Sequence, residues 1–295
     1  MIIVAIILIP SFIAAFVLGY LALNGMIPGY EWLVIIPIST GIGVYMVKRG
    51  IYEWWVSRFP VGLTKFESAI LSEHFPYYNR LGAEHKVEFE KRLNVFREQK
   101  KFQMQGAPKI PGDIQLLLSA SAISITMGFP YQKEFFKKLA TIIMYPKTFI
   151  TPALRNQHHV YEVNTDKNFD CLIIAINMFV EGLKNPKEYY DSALLGFAKL
   201  FKNEFKLSDD SIPYENKDEF VAEILKIRGF MTEYIFKYTA INHYELFELC
   251  SELFFLKPSK LKEKFPKVYE FFIKTYQQDP LNYNTPDIQD LEENF

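Results

Sequence analysis

The sequence predicts an α+β fold, mostly helical with a small central sheet, preceded by a two-helix transmembrane hairpin. Three observations lead there. Between Met1 and Val47 the only charged side chain is Glu31. From Lys48 onward, apolar residues recur at helical spacing among Lys, Glu and Arg. In the middle of the chain the β-rich run Ala140-Thr141-Ile142-Ile143 stops before Pro146, as a strand does.

The hairpin comes first. Residues 2–23 carry no charge, a length that matches the ~20 residues a helix needs to cross the hydrocarbon core. Asn24-Gly25-Met26-Ile27-Pro28-Gly29 is a turn-rich break. Residues 32–47 form a second, shorter apolar stretch that contains Pro37. Tyr30 and Trp32 mark one interface; Tyr52, Trp54 and Trp55 mark the other. A cleaved signal peptide fits less well, because Met1-Ile2-Ile3-Val4 offers no basic region. Lys48, Arg49 and Arg58 follow the second span, so both ends are expected on the cytoplasmic side of an inner membrane, with the lipid bilayer as a partner. The segmentation expected is a hairpin over 1–50, a single domain over 60–285, and an acidic tail over 286–295.

Within that domain, periodicity predicts helices over 85–102 and 114–127, the second opened by Pro111-Gly112-Asp113 and ended by Gly128 and Pro130. Strands are expected at 139–144 and 159–163. Helices then return over 171–183, 186–205, 217–228, 242–255 and 260–277. Pro258 separates the last two.

A net charge of -1 and the absence of a basic run exclude a nucleic-acid footprint. Cys171 and Cys250 each sit in an apolar pattern and read as buried free thiols. Neither a Gly-rich phosphate loop nor a Gly-x-Ser-x-Gly elbow occurs. Asp209-Asp210-Ser211 reads as a solvated loop. The aromatic side chains of the last stretch, Phe247, Phe254, Phe255, Phe265, Tyr269, Phe271, Phe272 and Tyr276, read mostly as core, with some free to line a peptide cleft.

Several blocks, in order, carry a family resemblance. They are Phe75-Pro76-Tyr77-Tyr78-Asn79-Arg80-Leu81, Ser119-Ala120-Ser121-Ala122, Ile142-Ile143-Met144-Tyr145-Pro146 and Gly182 with Pro186. Further on come Asn242-His243-Tyr244-Glu245, Ser251-Glu252-Leu253-Phe254-Phe255 and Gln278-Asp279-Pro280. Together they resemble the Mlc titration factor A family of zinc-dependent peptidases. The resemblance implies a zincin-like domain in which a His-Glu-x-x-His helix supplies two zinc ligands and a catalytic Glu. A downstream Asn-x-x-Glu helix supplies the third ligand.

That first motif is missing. None of the five histidines, His74, His85, His158, His159 and His243, is followed by Glu or by a second His four residues on. Counting from Gly182 and Pro186 puts Leu195 and Lys199 at the ligand positions and Gly196 at the catalytic Glu. Glu245 keeps the third-ligand position. A rival register places Asn177-Met178-Phe179-Val180-Glu181 there and also lacks an imidazole pair. Leucine has no lone pair for zinc, a lysine ammonium has none and repels a cation, and glycine cannot accept a proton. A Lys199–Glu245 salt bridge is expected in place of the metal.

His158 and His159 neighbour each other on an expected strand and so point to opposite faces, and His243 and Glu245 do not face each other on a helix. Three readings follow. The preferred one is a catalytically inactive pseudopeptidase with a protein-binding or regulatory role, without a cofactor, whose partner is a cytoplasmic regulatory protein or peptide segment. The second is an active zinc-dependent metallopeptidase with non-standard ligands drawn from His158, His159, His243, Glu181 and Glu245. The third is a structural membrane protein with a filled cleft.

Overall fold

The computed structural model describes residues 2–26, 28–29, 31–59, 62–106, 110–130, 135–151, 154–159, 161–165, 170–185, 191–228 and 246–282. It divides into two units, Met1–Val61 and Gly62–Phe295.

The first unit is a helical hairpin. Helix α1, Ile2–Leu23, contains Pro10. It ends in a left-handed Gly25 (φ +64°), where Met26 N–H reaches Leu21 O at 2.9 Å and Gly25 N–H reaches Ala22 O at 3.1 Å. These two bonds satisfy carbonyls that the helix end would otherwise leave open, and the positive φ suits glycine. A 3₁₀ turn, Glu31–Val34, leads into α2, Ile35–Arg58, which packs on α1.

The expected transmembrane hairpin is overturned here. Among the described residues, no helix is long and apolar enough to cross a membrane. In α2, Pro37, Ser39, Thr40, Gly41 and Gly43 interrupt the apolar run before Lys48. The inner-membrane location and the orientation deduced from those spans fall with them.

The second unit is mostly helical around a small mixed sheet. Helices α3 (Lys65–His74), α4 (Pro76–Arg80) and α5 (Ala83–Gln99) come first, then strand β1 (Lys101–Met104) and helix α6 (Gly112–Thr126). Strands β2 (Leu139–Tyr145), β3 (Phe149–Thr151), β4 (Leu154–His159), β5 (Tyr161–Thr165) and β6 (Asp170–Ala175) follow. The sheet order is β1-β2-β6-β5, with β5 the antiparallel edge strand, and β3 and β4 form a separate antiparallel pair. Helices α7 (Ile176–Lys184), α8 (Ser192–Glu204), α9 (Lys217–Arg228), α10 (Leu246–Leu256), α11 (Pro258–Lys264) and α12 (Pro266–Tyr276) complete the described elements.

Three expected helices differ, the first being that over 85–102, which ends at Gln99 with Lys101 and Phe102 in β1. The apolar run Cys171-Leu172-Ile173-Ile174 is strand β6, paired on both sides, and helix begins only at Ile176. A short apolar run fits a buried strand as well as a helix, and pairing with β2 and β5 decides it. The helix expected over 260–277 is two helices, because Pro266 cannot donate to the preceding turn and instead opens α12.

Helix α6 is buried on every side from Leu116 to Thr126, its four hydroxyls included. Those hydroxyls bond back to its own carbonyls, Ser119 to Gln115 O at 2.7 Å and Ser124 to Ser121 O at 2.8 Å among them, which lets polar atoms lie in the core. The end of α6 is held from outside. Arg92 donates to Thr126 O at 3.0 Å and Phe129 O at 2.7 Å, and Gln278 donates to Ser124 O at 2.8 Å while accepting from the Tyr77 hydroxyl at 2.7 Å. Gly128 allows this closure, since a Cβ there would stand 2.2 Å from Gln277 O.

Candidate functional site

The degenerate motif positions Leu195, Gly196 and Lys199 fall on α8. Asp191 caps the helix by accepting from Leu194 N–H at 2.9 Å. Its own N–H donates to the Glu252 carboxylate of α10 at 2.7 Å. Helix α8 lies on the sheet and packs on α10, so the seam between α8 and α10 is where side chains from the two helices meet.

Leu195 and Lys199 stand one turn apart on α8, Leu195 buried and Lys199 half-buried. Gly196 faces β6: a Cβ there would lie 2.6 Å from Leu172 Cδ1. Glu245 and His243 lie outside the described residues. His158 and His159 pair in register with Ile150 and Phe149 on the β3–β4 hairpin, away from the four-stranded sheet. Glu181 accepts from Asn185 at 3.3 Å at the end of helix α7, and Asn177 lies on the same helix.

The contact across the seam is made by residues the sequence reading passed over. Lys202 Nζ lies 2.6 Å from Asp209 Oδ1 and 3.6 Å from Glu248 Oε2. Glu248 is only 1% exposed. Lys202 stands three residues beyond Lys199, on the next turn of α8, and Glu248 stands three positions beyond Glu245 in sequence. That i+3 relation was the available signal. Asp209 is no solvated loop residue: its carboxylate also accepts from Leu246 N–H at 3.4 Å and Phe247 N–H at 3.2 Å, capping α10. Glu252, fully buried in the apolar stretch Leu246–Leu256, is the acidic residue whose place in such a run marked it.

Electrostatics follow from this burial. The Cys250 thiol is pushed well above its ordinary range, first by burial and then by the carboxylates of Asp209 and Glu248. Tyr276 is raised too, chiefly by burial, against a hydrogen bond with Ser251. The aromatics of this stretch, read mostly as core, pack on one another, with Phe254 and Tyr276 rings 5.8 Å apart and Phe247 and Phe272 rings 5.3 Å apart.

The donor set does not fit a zinc ion held by α8. Leu195 and Gly196 present no ligand atoms, and the Lys202 ammonium lies 3.6 Å from the buried Glu248 carboxylate. Among the described residues no group of three His, Cys, Asp or Glu side chains is placed to hold a metal ion. A groove of about 780 Å³ opens elsewhere, between α3, the start of α6 and the end of α7, with Ile70, Leu117, Leu183 and His74 on its walls, and among the described residues Leu195, Gly196, Lys199 and Glu181 do not line it.

The class of the protein is that of a zinc-peptidase-like chain. The family model of the glucose-regulated metallopeptidase M90 matches residues 55–170 and 197–277, and the chain belongs to that family. The match resumes at Phe197, so Leu195 and Gly196 fall in the interval it leaves out. An uncharacterized protein of Synechocystis sp. is 22% identical over 274 residues, covering 84% of this chain and 97% of that one. Mlc titration factor A of Yersinia pestis, and likewise that of Yersinia pseudotuberculosis, is 48% identical over 44 residues, 15% of this chain and 16% of theirs.

Proposed function

We propose that this chain is a catalytically inactive member of its metallopeptidase family and that its scaffold serves a protein-binding or regulatory role. One observation carries the reading: where the family resemblance calls for two imidazoles and a general base, the chain has Leu195, Gly196 and Lys199. Catalytic zinc takes three protein ligands and needs a base to activate its bound water, and those residues supply neither. The ion pair between Lys202 and Glu248 supports it, since an ammonium already balances the buried carboxylate of the seam. The partner proposed is a regulatory protein or a peptide segment, and the net charge of -1 speaks against nucleic acid.

The test is the metal content of the purified full chain together with peptide cleavage in the presence and absence of a chelator. The expected result is no stoichiometric zinc and no chelator-sensitive cleavage. Tight zinc binding, with cleavage lost in Glu245→Gln, would establish instead an active enzyme with ligands drawn from His158, His159, His243, Glu181 and Glu245. The geometry changes one part of the design. Restoring the motif through Gly196→Glu meets Leu172 of β6, so a failed restoration at that position does not bear on zinc.

A further inference from the structure

We propose that the Lys202 ammonium is a built-in structural cation that fixes Asp209 as the cap of α10 and so sets the start of that helix against α8. The first amides of a helix have no partner within it, and an oxygen from elsewhere must take them. Here the oxygens come from Asp209, 37 residues before Leu246, on the short turn Asp209–Ser211. The carboxylate reaches the N–H groups of Leu246 and Phe247, the first two described residues of α10, with its two oxygens. Its Oδ1 is held at the same time by Lys202 Nζ at 2.6 Å.

A second carboxylate makes the cation necessary. Glu248 lies in the first turn of α10 and is nearly inaccessible, with Oε2 3.6 Å from the same Nζ. Two carboxylates from separate elements thus share one ammonium. Without it two like charges would face each other across a poorly hydrated seam, where they repel strongly. The Lys202 side chain is 18% exposed, so water does not replace it freely. The cation therefore does for three elements, α8, the Asp209 turn and α10, what a cross-link would do. This inference stands on the seam's geometry and holds whether or not the chain cleaves peptides.

Amide hydrogen exchange on the full chain tests it. In Lys202→Met, the Leu246 and Phe247 amides should exchange roughly tenfold faster or more, while amides near the far end of α10, such as that of Phe255, keep their protection. In Lys202→Ala, added propylammonium, which replaces the deleted atoms and charge, should restore protection at Leu246 and Phe247, and propanol should not. Unchanged exchange at those two amides in Lys202→Met overturns the proposal. So does equal acceleration along the whole of α8 and α10, or equal rescue by propanol. Should Lys202→Met not fold, the double variant Lys202→Met with Glu248→Met removes the buried like-charge pair. Folding of that variant with fast exchange at Leu246 and Phe247 supports the device. Wild-type protection there, or failure of the double variant to fold, refutes it.

Discussion

Two glycines show how a single missing Cβ acts differently according to what it would meet. At Gly128 the added atom would strike backbone, Gln277 O at 2.2 Å and Tyr276 O at 2.3 Å. Backbone there cannot retreat without breaking the Gln278 bond to Ser124 O. Gly128→Ala is expected to cost on the order of 3 kcal/mol, the upper part of the range for overpacking, read as a shift in the urea midpoint. At Gly196 the contact is with Leu172 Cδ1, the far end of a flexible side chain. A small overpacking loss in Gly196→Ala is offset by a helix-propensity gain of ~1 kcal/mol, so its midpoint should stay close to wild type. A large loss in Gly196→Ala with none in Gly128→Ala would contradict both assignments.

At the scale of the element, α3 is the best-signed helix start in the chain. Thr64 accepts from Glu67 N–H at 3.2 Å, and Glu67 accepts from Thr64 N–H at 3.0 Å, a reciprocal capping box. Burial pushes the Glu67 carboxyl up, but hydrogen bonds from Arg97 and Thr64 outweigh it and hold the carboxyl below its usual value. Thr64→Ala should therefore cost about 1 kcal/mol near neutral pH. Because the folded-state value of Glu67 is depressed, its own contribution is present above pH 4.5 and fades as pH falls below that. Glu67→Gln should match wild type's loss of stability less steeply on acidification, which a pair of pH-resolved urea titrations would show.

Elements were legible where a start signal and a period coincided. Helix α6 follows Pro111-Gly112-Asp113, α9 carries its own apolar period, and β2 stands out as a β-branched run before Pro146. They were illegible where neighbours decide. Nothing local separates Asp170–Ala175 from a helix, and β1 is only four residues that become a strand by pairing with β2. The site divides the same way. That α8 and α10 meet, with a lysine answering a glutamate across them, was readable. The contact described across them, Lys202 with Glu248, lies one turn beyond Lys199, while the expected Lys199–Glu245 bridge falls outside the described residues. Asp209 was misread because its role as a cap belongs to a helix that starts 37 residues later.

For the second unit as a whole, alkaline stability reports on the same packing. The Tyr78 hydroxyl is raised to about 12, by burial first and then by its hydrogen bond to Glu90 at 2.5 Å and the charge of that carboxylate. A folded-state value raised above 10 stabilises fully below pH 10, and that stabilisation is lost as pH climbs from 10 towards 12, where the unfolded chain ionises first. The stability difference between wild type and Tyr78→Phe should be level up to about pH 10 and then shrink. A difference that stays constant to pH 12 would show that Tyr78 ionises alike in both states.

The closure of α6 by Gln278 also sets an order in time. Ser124 and its partner are 154 positions apart. At the usual 5–20 residues per second of synthesis, roughly 8–30 s separate their emergence. Through that interval a helix that the finished fold buries on every side has neither its final lid nor the packing of Tyr276 around it. The nascent chain thus carries α6 without its final cover for much of its own translation, so yield in cells should respond to translation speed and chaperone supply before it responds to anything at the α8–α10 seam.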